Sequence, residues 1–232
     1  MDRKNNDDRL ASAPKDSVSD FIQKNKNNIA VEFEKRIKAT LGHNNELLDM
    51  ALDDLTEIVE REVDFVTNII NSYDRWSDEE AAIVLWDIDD TLGKVHSTKE
   101  SSVWRFRPSM VELLDFLSTE YPNVKNGIIS NRADVTNIFN PDGPLNEISK
   151  YFDKQLLIST RELKLEGNIS AEIEQEVKAM NLPPPDTDCI AKFSILKTKR
   201  NEGLNIKIID NNVVAKAWGV HGVYVGGQFQ NY

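Results

Sequence analysis

Carboxylate side chains follow two apolar segments that have the composition of buried strands. The segment AAIVLW at 81–86 runs directly into the triplet DID, so Asp87 and Asp89 stand one residue apart where that segment ends. The segment NIKII at 205–209 is followed by Asp210. Because ligands bind at the carboxyl ends of the strands in an open parallel sheet, we expect these three carboxylates to converge on one crevice.

Three converging carboxylates repel one another unless a cation neutralises them. Oxygen ligands favour magnesium, Mg²⁺, which takes its remaining ligands from water and phosphate. Two further residues suit phosphate: Ser130 ends the apolar segment NGII, and Lys192 stands at the start of a predicted helix, where exposed amides add to its charge. Lys197 and Lys199 share that predicted helix, but its first turn is nearest the strand ends. These residue types predict a phosphate site beside a metal site.

The elements that would position these residues begin near Ala81, where short apolar segments alternate with amphipathic ones. This alternation is typical of an α/β domain with a doubly wound parallel sheet of the Rossmann-like kind. The predicted strands are 81–86, 126–130, 155–159, 205–210 and 222–227, and the predicted helices are 107–121, 170–180, 190–200 and 213–219. The polar residues of interest therefore fall at strand ends or on a helix that follows them.

The N-terminal part has a different, helical pattern. Residues 1–16 are polar and predict a mobile tail. Apolar residues recur at three- and four-residue steps over 17–41, interrupted by the polar stretch NKNN, and again over 48–73, where Asn44 or Asn45 would cap a second helix. This pattern predicts a helical hairpin at 17–78, followed by a catalytic domain at 79–232 with a minimal cap.

One stripe of the second helix keeps a seven-residue spacing, formed by Leu52, Val59, Val66 and Tyr73. Such a stripe suits an antiparallel hairpin, the seam of a homodimer, or docking on the domain that follows. A homodimer through the N-terminal helices is therefore one of three options that the sequence leaves open.

The overall composition limits the partners and the compartment. The chain has 28 basic and 39 acidic residues and a formal net charge of -11, so no nucleic-acid partner is expected. The single cysteine, Cys189, and three histidines allow neither a disulfide framework nor a thiolate zinc site. No apolar run approaches the ~20 residues that span a bilayer, so we expect no membrane contact and interpret the protein as cytoplasmic.

The order of these motifs resembles the haloacid dehalogenase-like (HAD) superfamily of phosphatases. The motif DIDDT follows the first strand, Ser130 follows the second, Lys192 lies on a helix, and Asp210 follows a later strand. The resemblance covers about 81–228, and the segment IVLWDIDDTLG carries most of it. It implies a HAD-like doubly wound sheet and a phosphatase activity.

The resemblance also implies roles for the carboxylates. Asp87 would attack phosphorus and form an aspartyl-phosphate, while Asp89 would protonate the leaving oxygen and then activate the attacking water. The Mg²⁺ ion would be held by the carboxylate of Asp87, the main-chain carbonyl of Asp89 and the carboxylate of Asp210.

The remaining residues of the motifs would bind the substrate. By the same resemblance, Ser130 and Lys192 would hold the transferring group, and we expect Thr91, Asn131 and Arg132 to contact the substrate. The chain between the first two motifs is too short for a helical cap domain, which leaves a flap at 94–107. The site is therefore expected to be open, which permits a macromolecular phosphoester. The preferred substrate is a phosphorylated small molecule, either a metabolite or a nucleotide.

The last motif departs from the family pattern. Many relatives place a second acidic residue there, where this chain has Asn211 and Val214. Asn211 is a candidate metal ligand through its amide oxygen or through a water, in a site with one negative charge less. This departure leaves open a binding or regulatory module with weakened catalysis. The open site separately leaves open a phosphatase with a macromolecular substrate.

Overall fold

A computed structural model describes residues 15–42, 44–97, 102–161, 171–180 and 186–226 of the chain. The predicted tail lies outside the described residues, apart from its last two, which begin the first helix. The N-terminal helices are α1 (Lys15–Leu41), α2 (Asn45–Asp53) and α3 (Leu55–Ser77). The polar stretch NKNN, which interrupts the apolar face of the first predicted helix, lies inside α1, and the helix continues through it without a break.

The second predicted helix is divided in the structure into α2 and α3. Asn44 caps α2, and its side chain accepts a hydrogen bond from the Leu47 N–H at 3.2 Å. At the other end of α2, the N–H of Asp54 bonds to the carbonyls of both Met50 and Leu52. The bond to Met50 is the ordinary α-helical one, and a single turn residue, Asp54, separates the end of α2 from the start of α3.

Seven strands and five further α-helices follow in the part of the chain that the structure describes. The strands are β1 (Ile83–Trp86), β2 (Gly93–Ser97), β3 (Ser102–Phe106), β4 (Lys125–Ser130), β5 (Leu157–Ser159), β6 (Ile206–Asp210) and β7 (Gly222–Tyr224). The helices are α4 (Met110–Glu120), α5 (Asn146–Ser149), α6 (Ala171–Ala179), α7 (Thr187–Asn201) and α8 (Val214–Ala217). The expected flap contains the antiparallel pair β2 and β3.

The other five strands form one sheet in the order β5-β4-β1-β6-β7, and every neighbouring pair is parallel. Side chains of β1 alternate between two cores: Val84 and Trp86 join the helices α3 and α4, while Ile83 and Leu85 join α6, α7 and α8. Helices therefore cover both faces of the sheet. The predicted α/β fold with a Rossmann-like parallel sheet is confirmed at this level.

Helix α3 is part of the core that covers the sheet. Its residues Phe65, Ile69, Tyr73 and Trp76 are buried in the same cluster as Trp86 of β1. The indole N–H of Trp86 donates to the Tyr73 hydroxyl at 3.0 Å. No gap in the core therefore marks the predicted boundary between 78 and 79 within the described residues.

The seven-residue stripe is used within the chain. Val59 packs against Ile29 and Phe33 of α1, and Val66 and Tyr73 are buried against the sheet. Of the three options for this stripe, the contacts of Val66 and Tyr73 favour docking on the following domain, and the contact of Val59 favours packing against the first helix. The homodimer and the hairpin geometry stay predictions.

Candidate active site

Two of the predicted carboxylates lie side by side at the carboxyl ends of neighbouring strands. Asp87 directly follows β1, and its N–H continues the ladder to the Ile209 carbonyl at 3.0 Å. Asp210 ends β6, the neighbour of β1. The chain leaves β1 toward β4 on one side and later returns to β6 on the other, so both residues lie at the switch point where parallel sheets bind ligands.

Lys192 of α7 joins these two carboxylates. Its Nζ lies 2.8 Å from Asp87 Oδ1 and 2.7 Å from Asp210 Oδ2, and all three side chains are buried. The alternative lysines are directed elsewhere: Lys197 pairs with Glu176, and Lys199 pairs with Glu202. Among the three lysines of this helix, Lys192 is the one that the fold brings to the strand ends.

The expected position of Lys192 in the first turn is wrong by one turn. Helix α7 begins at Thr187, three residues before the predicted start, so Lys192 lies in its second turn. Asp186 caps the helix and accepts a hydrogen bond from the Cys189 N–H at 2.7 Å. Because a carboxylate already occupies this end of the helix, its exposed amides are not the source of positive charge that the sequence suggested.

A further carboxylate, Asp188, was missed by the sequence reasoning. It lies in the first turn of α7, 3.2 Å from Lys192 Nζ, and accepts a hydrogen bond from the Thr160 hydroxyl at 2.9 Å. The signal was the four-residue spacing of Asp188 and Lys192, which places two residues on one face of a helix. Starting the predicted helix at Ile190 hid this pair.

Burial and mutual repulsion shift the pKa values of this cluster. Burial, and next the charge of Asp210, raise the pKa of the Asp87 carboxyl to about 8, and Lys192 only partly opposes this. Burial likewise raises the pKa of Asp210. Burial lowers the pKa of Lys192, but the charges of Asp87, Asp210 and Asp188 outweigh it and leave the pKa above its ordinary value. Three carboxylates thus surround one ammonium, which leaves excess negative charge.

Thr91 and Asn211 form a buried connection behind Asp87. The Thr91 hydroxyl lies 3.4 Å from Asp87 Oδ2 and accepts a hydrogen bond from the Asn211 N–H at 3.1 Å. Thr91 is 0% exposed. The expectation that Thr91 contacts substrate is therefore wrong for this geometry, since the side chain has no accessible surface; it positions Asp87 instead.

Asp89 is directed away from the lysine cluster and pairs with Arg132. The two side chains form a bidentate ion pair, with Nε to Oδ2 at 3.0 Å and Nη2 to Oδ1 at 2.6 Å. This pair is partly exposed: 51% of the Asp89 side chain and 31% of the Arg132 side chain is accessible. The guanidinium also lies over the ring of Trp104 in β3, 4.8 Å from its centroid. Asp89, Arg132 and Trp104 therefore form one rim of the site.

A cavity of about 350 Å³ connects these groups. Its lining residues are Asp87, Asp89, Asp90, Ser130, Asn131, Asp186, Thr187, Asp188, Lys192, Asn211 and Asn212. Ser130 is buried and Asn131 is exposed, so the two contribute at different depths. The volume is within the range of small-molecule sites. A larger cavity of about 600 Å³, between α1 and α4, contains none of the predicted site residues.

The side chains at the cavity floor have the oxygen donors that Mg²⁺ prefers, but they are not arranged as ligands around one metal position. Asp87, Asp210 and Asn211 offer hard oxygen donors, and a divalent cation would offset the excess negative charge. No group of three or more His, Cys, Asp or Glu side chains is arranged to hold a metal ion in the described part of the chain. The carboxylates of Asp87 and Asp210 share the ammonium of Lys192 instead.

No protein-family model matches the chain, and neither a curated protein nor a solved structure does. The HAD resemblance therefore rests on the motifs alone and stays a prediction. Among the described helices, none combines the length and the apolar composition that a bilayer span requires.

Proposed function

We propose that this protein is a Mg²⁺-dependent phosphohydrolase that forms an aspartyl-phosphate on Asp87. One observation carries the proposal: Lys192 Nζ binds both Asp87 and Asp210 at the carboxyl ends of neighbouring strands. A buried carboxylate beside a buried ammonium, at the floor of a cavity, combines a nucleophile with a charge that can receive a phosphoryl oxygen.

Asp87 Oδ2 is the proposed attacking atom. Oδ1 is held by Lys192 at 2.8 Å, whereas the Thr91 hydroxyl contacts Oδ2 at the longer distance of 3.4 Å. In the first step the bond between Oδ2 and phosphorus forms while the bond from phosphorus to the leaving oxygen breaks, and Asp89 gives that oxygen a proton. In the second step Asp89 takes a proton from water, which attacks phosphorus and releases Asp87 and inorganic phosphate.

Asp89 must leave Arg132 to act in these steps, because both of its oxygens are held by the guanidinium. Ser130 lines the same cavity and is proposed to donate its hydroxyl to a phosphoryl oxygen. Asn131 lies at the exposed side of the cavity, where its amide is available to the substrate.

Asp87, Asp210 and the main-chain carbonyl of Asp89 are the groups proposed to hold Mg²⁺, with Asn211 as a further oxygen donor. When bound, the ion would shield the negative charge of the phosphoryl oxygens from the carboxylates. The raised pKa of Asp87 supports this assignment, since a nearby cation favours the ionised form that the nucleophile needs.

The experiment that tests the proposal is hydrolysis of an aryl phosphate with and without Mg²⁺, comparing the wild type with Asp87→Asn. The substitution keeps the shape of the side chain and removes the nucleophile, so we expect turnover to fall by roughly 10³-fold or more. Asp142→Asn, the same change in an exposed loop, serves as the control. Mass spectrometry of the acid-quenched wild type should locate the phosphoryl group on Asp87. Metal-dependent turnover that survives in Asp87→Asn would contradict the proposal.

A binding or regulatory module is the second candidate. Asn211 stands where relatives of the proposed family carry a second acidic residue, and the described carboxylates are paired with Lys192 rather than arranged around a metal position. Failure of the folded wild type to hydrolyse several small phosphoesters and a phosphopeptide panel, at high Mg²⁺, would favour this candidate. Turnover of the phosphopeptides alone would favour a macromolecular substrate.

A further inference from the structure

The ion pair between Asp89 and Arg132 occupies the place where a substrate would meet the proposed acid/base group. Both guanidinium nitrogens that face Asp89 bond to its carboxylate, in the parallel arrangement by which arginine also binds substrate carboxylates and phosphates. The carboxylate of Asp89 thus occupies the position on Arg132, at the exposed rim of the cavity, where a substrate anion could bind.

The backbone of Arg132 is fixed while its side chain stays at the rim. The Ser159 hydroxyl donates to the Arg132 carbonyl at 2.7 Å, and the Arg132 N–H faces the Ser130 hydroxyl at 3.4 Å. These contacts tie the residue to the ends of β4 and β5. Because water screens exposed ion pairs, exchanging Asp89 for another anion costs little.

The position of Arg132 indicates which part of the substrate it would meet. Lys192 and Ser130 lie at the cavity floor with Asp87, where the transferring phosphoryl group would sit. Asp89 must reach the leaving oxygen on the far side of phosphorus from Asp87. Because Arg132 binds Asp89, its guanidinium faces the leaving group rather than the phosphoryl group.

We propose that Arg132 is a specificity-determining residue that releases Asp89 when it binds an anionic group on the leaving alcohol. This inference rests on the proposed phosphohydrolase activity. The substrates it favours are phosphomonoesters whose leaving group carries a carboxylate or a second phosphate close to the ester oxygen. The guanidinium packs against Trp104. This contact would keep the Arg132 side chain at the rim whether it binds Asp89 or the anion of the substrate.

The test compares two substrates that differ only in the charge of the leaving group, together with a third that carries a different anion. Carboxymethyl phosphate carries a carboxylate, carbamoylmethyl phosphate is its neutral isostere, and the bisphosphate of ethylene glycol carries a second phosphate. We expect the wild type to prefer the charged esters in kcat/KM by roughly ten- to a hundredfold, the range for a charge-assisted hydrogen-bonded pair. The two charged esters distinguish a carboxylate site from a phosphate site.

Arg132→Gln should abolish this preference, mainly by raising KM for the charged esters. Turnover of the neutral ester should rise, since Asp89 no longer has to be released from a guanidinium. Arg132→Lys, which keeps the charge but not the paired geometry, should retain part of the preference. Arg61→Gln, the same change in an exposed ion pair of α3, is the control and should leave the preference as in the wild type.

The outcomes separate this inference from the proposed function. Equal kcat/KM for charged and neutral esters in an active wild type would overturn the inference and leave the phosphohydrolase standing. An equal loss for both esters in Arg132→Gln would assign Arg132 to the phosphoryl group or to structure, and would also overturn it. A folded wild type that hydrolyses neither these esters nor an aryl phosphate would remove the proposed function, and the inference with it.

Discussion

At the residue scale, Thr91 shows how one buried hydroxyl connects two strand-end segments. It accepts a hydrogen bond from the main chain of Asn211, which follows Asp210, and its oxygen lies beside Asp87. The turn before it is tight: Asp90 has a φ of 60°, and its N–H donates to the Gly93 carbonyl at 2.8 Å. Thr91 therefore determines how the loop after β1 sits against the loop after β6.

We expect Thr91→Val, which keeps the shape but removes the hydroxyl, to reduce both stability and turnover. The partly buried N–H of Asn211 would lose its acceptor, at a cost of about 1 kcal/mol in the free energy of unfolding measured with urea. Thr91→Ser should keep most of that stability, because it restores the acceptor. With an aryl phosphate, kcat should fall more than KM rises in Thr91→Val, since Asp87 is misplaced while the rim is intact. A Thr91→Val protein as stable and active as the wild type would refute this role.

Individual site residues were predictable where a strand end determines their position. Asp87, Ser130 and Asp210 each follow an apolar segment, and the parallel sheet aligns the ends of those segments. The pairing of Asp89 with Arg132 was not predictable, because the two residues are 43 positions apart and meet through loop conformations that no local pattern encodes.

At the element scale, a buried ion pair holds helix α3 to the end of the flap. Arg107 follows β3 and bonds to Glu62 of α3, with Nη2 to Oε2 at 2.9 Å. Ser109 donates its hydroxyl to Glu62 at 2.6 Å, and the Arg107 guanidinium lies over the Phe65 ring at 3.8 Å. Glu62 therefore connects α3 both to the end of the flap and to the start of α4.

Glu62→Ala is expected to be strongly destabilising. Removing one partner of a buried pair leaves a buried charge without its counter-ion, which typically costs about 3–5 kcal/mol. Glu57→Ala provides the matched control, because its pair with Arg61 is exposed and should contribute at most about 1 kcal/mol. Urea unfolding of both variants measures the difference. Equal losses in the two variants would show that burial of the Glu62 pair does not matter.

Most elements could be predicted from the sequence because apolar periodicity reports burial, and burial is what the strands and the long helices share. Helix ends were less predictable. The start of α7 at Thr187 depends on the cap formed by Asp186, and the division between α2 and α3 depends on a main-chain turn at Asp54. Each boundary depends on local hydrogen bonds, and neighbouring polar residues in the sequence could have formed similar bonds at another position.

At the scale of the whole molecule, a second polar cluster ties the far end of the sheet together. Lys207 lies near the start of β6, at the end opposite Asp210, and is fully buried. Its Nζ bonds to Glu79 Oε2 at 2.6 Å and to His221 Nδ1 at 2.7 Å. The cluster connects the segment after α3, the central sheet and the turn before β7. The protonation state of His221 therefore affects the stability of the entire fold.

His221 should therefore lower the free energy of unfolding in mild acid, in the direction opposite to Asp87, whose raised pKa makes the folded chain hold a proton over the same interval. Burial, and next the charges of Lys207 and Arg200, lower the pKa of His221 below its ordinary value of 6.5. The unfolded chain then binds more protons than the folded chain between the two pKa values. Stability is complete above the unfolded pKa and is lost as the pH falls below it.

His221→Gln should remove this part of the pH dependence, because the amide does not titrate. Urea unfolding of the wild type and the variant at about pH 7.5 and about pH 5.5 measures the effect as the difference between their two losses. Glu79 has a lowered pKa, with burial opposing and Lys207 dominating the shift, so its contribution is lost only in stronger acid, below the ordinary value of 4.5. The variant should thus lose less stability than the wild type over this interval. Identical losses would mean that His221 takes up its proton equally well in the folded and unfolded chains, and that its contact with Lys207 does not couple the fold to pH.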